Sequence, residues 1–151
     1  MGGFFLHNRS MNGLRRRILL SSWAGALGLA GLSPLWAATQ LQCQVTYGGS
    51  TETVLATLTD DPYKVVATDI AGRFRFKPVL AASAGQLRYV GIYVYFQAER
   101  QPLLIQQAKY APPYPPSGAD GRIALTGEQR LYAGTMEREL IYQCTLTGVA
   151  P

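Results

Sequence analysis

Gln86-Leu87-Arg88-Tyr89-Val90-Gly91-Ile92-Tyr93-Val94-Tyr95-Phe96-Gln97 is the longest run of strict alternation in this chain. Val90, Ile92, Val94 and Phe96 recur at period two on one face, with Tyr89, Gly91, Tyr93 and Tyr95 on the other. A helix would scatter these side chains around its axis, so the run is a β-strand with an apolar face and an aromatic face. The same period continues on both sides of it. Residues 73–77 set Phe74 and Phe76 against Arg73, Arg75 and Lys77, and a further strand spans 103–110. Earlier, Leu41, Cys43, Val45 and Tyr47 alternate with Gln42, Gln44 and Thr46 up to the turn Gly48-Gly49-Ser50. Val54, Ala56 and Leu58 then alternate with Thr53, Leu55, Thr57 and Thr59 up to Asp60-Asp61-Pro62. Strands over 63–68, 122–125, 127–132 and 135–147 complete the pattern. Residues 79–84 form the one stretch where a short helix is an option, without a convincing cap. The expected fold is all-β: an antiparallel β-sandwich of seven or eight strands, immunoglobulin-like in general layout, with a small closed β-barrel as the alternative.

The beginning of the chain has a different character. Leu14-Arg15-Arg16-Arg17-Ile18-Leu19-Leu20 precedes a Gly- and Ala-punctuated apolar run to Leu32, then Pro34 and Leu35-Trp36-Ala37-Ala38. A basic start, a short apolar middle and a small residue at the cut describe an export signal, expected over residues 1–37 with cleavage after Ala37. The paired arginines and mild apolar region resemble a twin-arginine signal, with general secretion as the other route. Met11 would begin a signal of more ordinary length than Met1 does. Gln40-Leu41-Gln42 before Cys43 lacks the small residues of a lipoprotein box, so no lipid anchor and no stable membrane insertion are expected after cleavage. The mature protein is expected to be periplasmic or secreted.

Removing the leader changes the composition. His7, Trp23 and Trp36 leave with it, as do four of the fourteen basic residues and none of the nine acids. Residues 38–151 thus carry a net charge of +1, in a length suited to one domain with one core. The basicity of the whole chain belongs to export, and no nucleic-acid partner is expected. Without histidine, Ser-His-Asp and Cys-His catalysis and histidine-bound metals are ruled out for the mature chain. No Gly-rich phosphate loop appears, and no cofactor or metal is expected.

Two cysteines in an exported chain point to a disulfide between Cys43, in the first strand, and Cys144, in the last. The C-terminal hairpin is expected to turn tightly at Ala133-Gly134, pairing Leu131 with Met136 and Arg130 with Glu137, with Met136 facing inward. That register sets Glu128 opposite Glu139, a carboxylate pair that could serve a glycosidase-like reaction or form a solvated face compensated by Arg130. Ala111-Pro112-Pro113-Tyr114-Pro115-Pro116-Ser117-Gly118 cannot enter a ladder and forms an extended loop. Its Tyr114, with Tyr110, is a secondary candidate binding arm, and a stiff crossover between sheets is the plainer reading.

The main candidate site follows from placing the 73–77 strand beside the long one. Arg73, Arg75 and Lys77 would then lie next to Tyr89, Tyr93 and Tyr95. Tyrosine supplies area at low entropic cost, and arginine supplies cation-π and bidentate contacts, so this face suits an exported protein partner, a glycan or an anionic polymer. A self-satisfied ladder of arginine and tyrosine is the competing reading. The expected function is a non-enzymatic binding or accessory domain. The alternatives are an accessory or chaperone-like subunit of an exported enzyme complex and a small carboxylate-dependent hydrolase.

Overall fold

The structure is a computed structural model and describes residues 38–149, so the leader lies outside the described residues. Nine strands follow one another: β1 Gln40–Tyr47, β2 Ser50–Thr59, β3 Thr68–Ile70, β4 Phe74–Ser83, β5 Gln86–Gln97, β6 Pro102–Tyr110, β7 Ile123–Ala124, β8 Gln129–Ala133 and β9 Arg138–Thr147. They form one sheet in the order β6-β5-β4-β2-β1-β9-β7, with β3 attached to β4 and β8 to β9. Every pairing is antiparallel except β2 with β4, which run parallel at Leu58↔Leu80 and Thr59↔Ala81. Parallel neighbours need a long crossover, which residues 60–73 supply.

β2 is the corner of the fold. It pairs with β1 along Ser50–Thr57 and then reaches β4 with its last two residues. Two leaves are thereby joined into a mixed sheet that wraps around one core and nearly closes like a barrel. The sequence pattern anticipated the all-β class and the barrel alternative, but not the parallel seam. Leu41, Val45, Phe74, Phe76, Leu80, Val90, Ile92, Val94, Leu140 and Leu146 are fully buried inside. Across this interior the Tyr142 hydroxyl donates to Oε1 of Gln106 at 2.8 Å, tying β9 to β6. Burial holds that phenol far above its usual pKa, with the field of Tyr110 adding to it.

Cys43 and Cys144 face one another in the β1–β9 register and are bonded, with an S–S distance of 2.04 Å and a Cα–Cα distance of 4.0 Å. Both are buried in the core.

Three local expectations need correction. Residues 79–84 continue strand β4 as far as Ser83 and form no helix. Val79, Leu80 and Ala81 are all buried, so this segment is covered on both faces and loses the period-two signature of a half-exposed strand. Residues 63–68 are not a strand. Pro62–Lys64 is a 3-10 turn in which Asp61 Oδ1 accepts from the Tyr63 amide at 3.1 Å, and β3 starts only at Thr68. Proline at the first helical position behind an aspartate cap favours that turn over extension.

The third correction is the C-terminal hairpin. Its turn takes in Gly134–Glu137, and its register pairs Leu131 with Leu140, Tyr132 with Glu139 and Arg130 with Ile141. Met136 sits on the turn at 75% exposure, not inside. Leu140 is fully buried, so matching Leu131 to it outweighs the charge pairing that a tighter turn would allow. Gly134 adopts a φ of +78°, and a Cβ there would lie 2.9 Å from the Phe96 ring. Gly134→Ala should therefore lower stability by about 2 kcal/mol or more, from left-handed backbone strain plus the displaced ring. A shift in the urea midpoint measures it, and an unchanged midpoint would show that turn and ring move apart freely.

Candidate functional site

The β4–β5 register places Arg75 opposite Tyr95, Lys77 opposite Tyr93, Val79 opposite Gly91 and Ala81 opposite Tyr89. Alternation sends these residues to the outer face, because Phe74, Phe76, Val90, Ile92 and Val94 occupy the core. On the far side of β5, strand β6 adds Leu104 opposite Tyr95, Gln107 opposite Tyr93 and Lys109 opposite Gly91. The outer face thus has three rows. Cations run along β4, rings along β5 and mixed side chains along β6.

The rings lie low on the sheet. Gly91 is buried although it points outward, and a Cβ on it would meet Tyr93 Cε2 at 3.0 Å and Tyr89 Cε2 at 3.5 Å. Both tyrosines therefore lean over the glycine from opposite sides, on the face that also buries Val79 and Ala81. Tyr89, Tyr93 and Tyr95 are all half-buried. The Tyr93 phenol is raised above its usual pKa, first by burial and then by the fields of Tyr89, Tyr95 and Tyr63. The Lys109 ammonium stands 4.2 Å from the centroid of the Tyr89 ring, a cation-π contact that covers that ring.

Arg75 and Lys77 lie in β4 and Arg73 in the turn before it, and their partners can be set against those of the other arginines. Arg122 bonds to Gln42 and lies near Asp120, and Arg130 bridges Glu128 and Glu139. Arg138 donates to the Tyr47 hydroxyl. Among the described residues, Arg73, Arg75 and Lys77 make no ion pair within 4.0 Å, and neither do Arg88, Arg100, Lys109 and Arg138. Arg73 and Arg75 are exposed and Lys77 is half-buried. Asp69 is opposite Arg75 in the β3–β4 register, but its Oδ1 accepts from the Gly72 amide at 2.7 Å.

The other candidates fall elsewhere. Tyr110 and Tyr114 pack against the core, and the Tyr114 hydroxyl is buried without a hydrogen-bond partner. Glu128 and Glu139 are held together by Arg130, whose guanidinium lies 2.7 Å from one carboxylate and 3.0 Å from the other. Hydrogen bonds from Tyr132 and Arg130 pull the Glu139 pKa down, the opposite of what a general acid needs. No group of three or more His, Cys, Asp and Glu side chains able to hold a metal occurs among the described residues.

Sequence reasoning missed Lys109 and Gly91. Lys109 had a usable signal, since hairpin pairing of 86–97 with 103–110 brings the end of the second strand back over the start of the first. Gly91 was visible only as a gap in an aromatic row. No known protein family, curated protein or solved structure matches the chain.

Proposed function

We propose that the mature chain is an exported, non-enzymatic binding domain whose working surface is the outer face of β4, β5 and β6. The observation that carries this reading is the row of Arg73, Arg75 and Lys77, without an anionic partner within 4.0 Å among the described residues, beside the half-buried Tyr93 and Tyr95. Arg88 and Arg100 also lack an ion pair, so what sets this row apart is its place beside the rings: Arg75 is opposite Tyr95 and Lys77 opposite Tyr93. Cations left open at a ring-lined surface suit an anionic ligand.

Retention on immobilised heparin, used as a general polyanion, tests the face. The triple variant Arg73→Ser, Arg75→Ser, Lys77→Ser should elute at clearly lower salt than the wild-type domain. A control triple variant, Arg88→Ser, Arg100→Ser, Arg122→Ser, loses the same charge and should elute near wild type. Equal shifts in the two variants would mean that net charge, not this face, governs retention.

Export is the other half of the proposal, supported by the leader sequence and compatible with the Cys43–Cys144 disulfide. Cell fractionation should place a shortened chain beginning at Ala38 outside the cytoplasm. Changing Arg15 and Arg16 together to Lys should abolish its appearance there if the twin-arginine route carries it. Undiminished export would assign the chain to general secretion.

A further inference from the structure

We propose that the ligand of this face is a linear, carboxylate-bearing polysaccharide lying along β4 and β5, its sugar rings stacked on Tyr93 and Tyr95 and its carboxylates met by Arg75 and Lys77. The inference rests on the binding reading above and names its ligand class.

The shape of the surface selects that class. Alternate residues along a strand are about 6.8 Å apart, and neighbouring strands about 4.8 Å apart. Arg75 and Lys77 therefore form a short row of charge parallel to the row of Tyr95 and Tyr93, one strand away. An extended ligand with rings along its axis and anionic groups on one flank matches both rows at once. The stretch from Tyr89 to Tyr95 across the three strands is roughly 10 Å by 20 Å, long and narrow as a single polymer chain is.

The rings decide between a sugar polymer and a ringless polyanion. Because Gly91 has no side chain, Tyr93 and Tyr89 fold down toward the sheet rather than standing as posts, which gives a low platform. Tyr89 is covered by Lys109, so the open part of the platform is Tyr93, with Tyr95 on the same face two residues further along β5. Leu104, 49% exposed and opposite Tyr95, extends it with apolar surface. The C–H face of a pyranose is apolar and broad, and it stacks on such a surface while its substituents reach sideways. A flexible chain of phosphates or carboxylates without rings would use the cations and leave the tyrosines idle.

Binding of the mature protein to four probes tests this by calorimetry: an oligogalacturonate, the same oligosaccharide with its carboxylates reduced to alcohols, polyphosphate and oligothymidylate. Oligogalacturonate should bind best, and reduction of its carboxylates should weaken binding about tenfold or more. Tyr93→Ala should weaken oligogalacturonate binding about fivefold and leave polyphosphate binding unchanged. Tyr93→Phe keeps the ring and should bind as wild type, and Tyr95→Ala repeats the test where loss of Tyr93 unfolds the sheet. Equal binding of polyphosphate and oligogalacturonate, with no dependence on Tyr93 or Tyr95, overturns the glycan while the polyanion-binding face stands. Equal binding of the reduced oligosaccharide overturns the role of the carboxylates. Tighter binding of oligothymidylate makes the ligand a nucleic acid. Failure of every anionic probe overturns the ligand and the working surface together.

Discussion

Replacing Cys43 and Cys144 together with alanine should lower the unfolding free energy of the β domain by about 4 to 5 kcal/mol. The two cysteines are 101 residues apart in sequence, so the bridge closes almost the entire domain into one loop. In the chain-entropy account, cross-linking a loop of about 100 residues removes about 4.7 kcal/mol of freedom from the unfolded chain. A domain of this size has a net stability of about 5 to 15 kcal/mol, so much of the margin rests on this bond. The bond also joins the first strand to the last at the middle of their ladder, the contact that closes the longest loop in the sheet. Thermal unfolding with and without a thiol reductant, alongside the double variant, provides the measurement. A fall of about 20 °C is expected in both cases. A drop of only a few degrees would show that the ladder holds without the cross-link. The single variants Cys43→Ala and Cys144→Ala should behave like the double, since either one removes the bond.

Phe74→Ala should cost about 3 to 5 kcal/mol, the range for removing a large aromatic from a well-packed core. Phe74 is fully buried at the start of β4. Its ring meets Tyr47 of β1 edge-on at 5.3 Å between centroids and Phe96 of β5 at 5.6 Å. Phe96 in turn abuts Gly134 in the β8–β9 turn. These contacts line one end of the barrel from β1 across to the turn where the sheet nearly closes, and a cavity at Phe74 breaks the line at its centre. The neighbouring Arg75→Ala provides the contrast, because Arg75 is exposed and should shift the denaturation midpoint very little. If both substitutions shifted the midpoint equally, the inward and outward assignment of β4 would be wrong.

Polar and apolar alternation determined most of the strand pattern. The 86–97 strand keeps its bounds in the structure, and Leu41, Cys43 and Val45 on one side and Leu140, Tyr142 and Cys144 on the other are buried as period two requires. Side-chain direction in a strand is local geometry, so it survives any arrangement of neighbours. The same locality made Arg73, Arg75 and Lys77 legible as one face and Tyr89, Tyr93 and Tyr95 as another. The cysteine pair was legible for a different reason, since an even cysteine count behind a leader that reads as an export signal carries its own chemistry.

The features that sequence could not supply depend on what lies next door in space. Nothing in β2 announces that its last two residues leave β1 for β4, because pairing energy is shared between strands and belongs to neither alone. The Gly134–Glu137 turn follows from Leu131 seeking the buried Leu140 and from the Phe96 ring lying against Gly134, both long-range contacts that outweigh the local turn signal. Residues 79–84 were ambiguous because an apolar run buried on both faces loses the alternation that marks a strand. In the candidate site, sequence proposed which rings and charges share a surface. Only the tertiary structure decided that Lys109 covers Tyr89, that Tyr93 leans over Gly91, and that Arg75 and Lys77 stand beside rings without an ion pair within 4.0 Å among the described residues, because each of these depends on where separate strands come to lie.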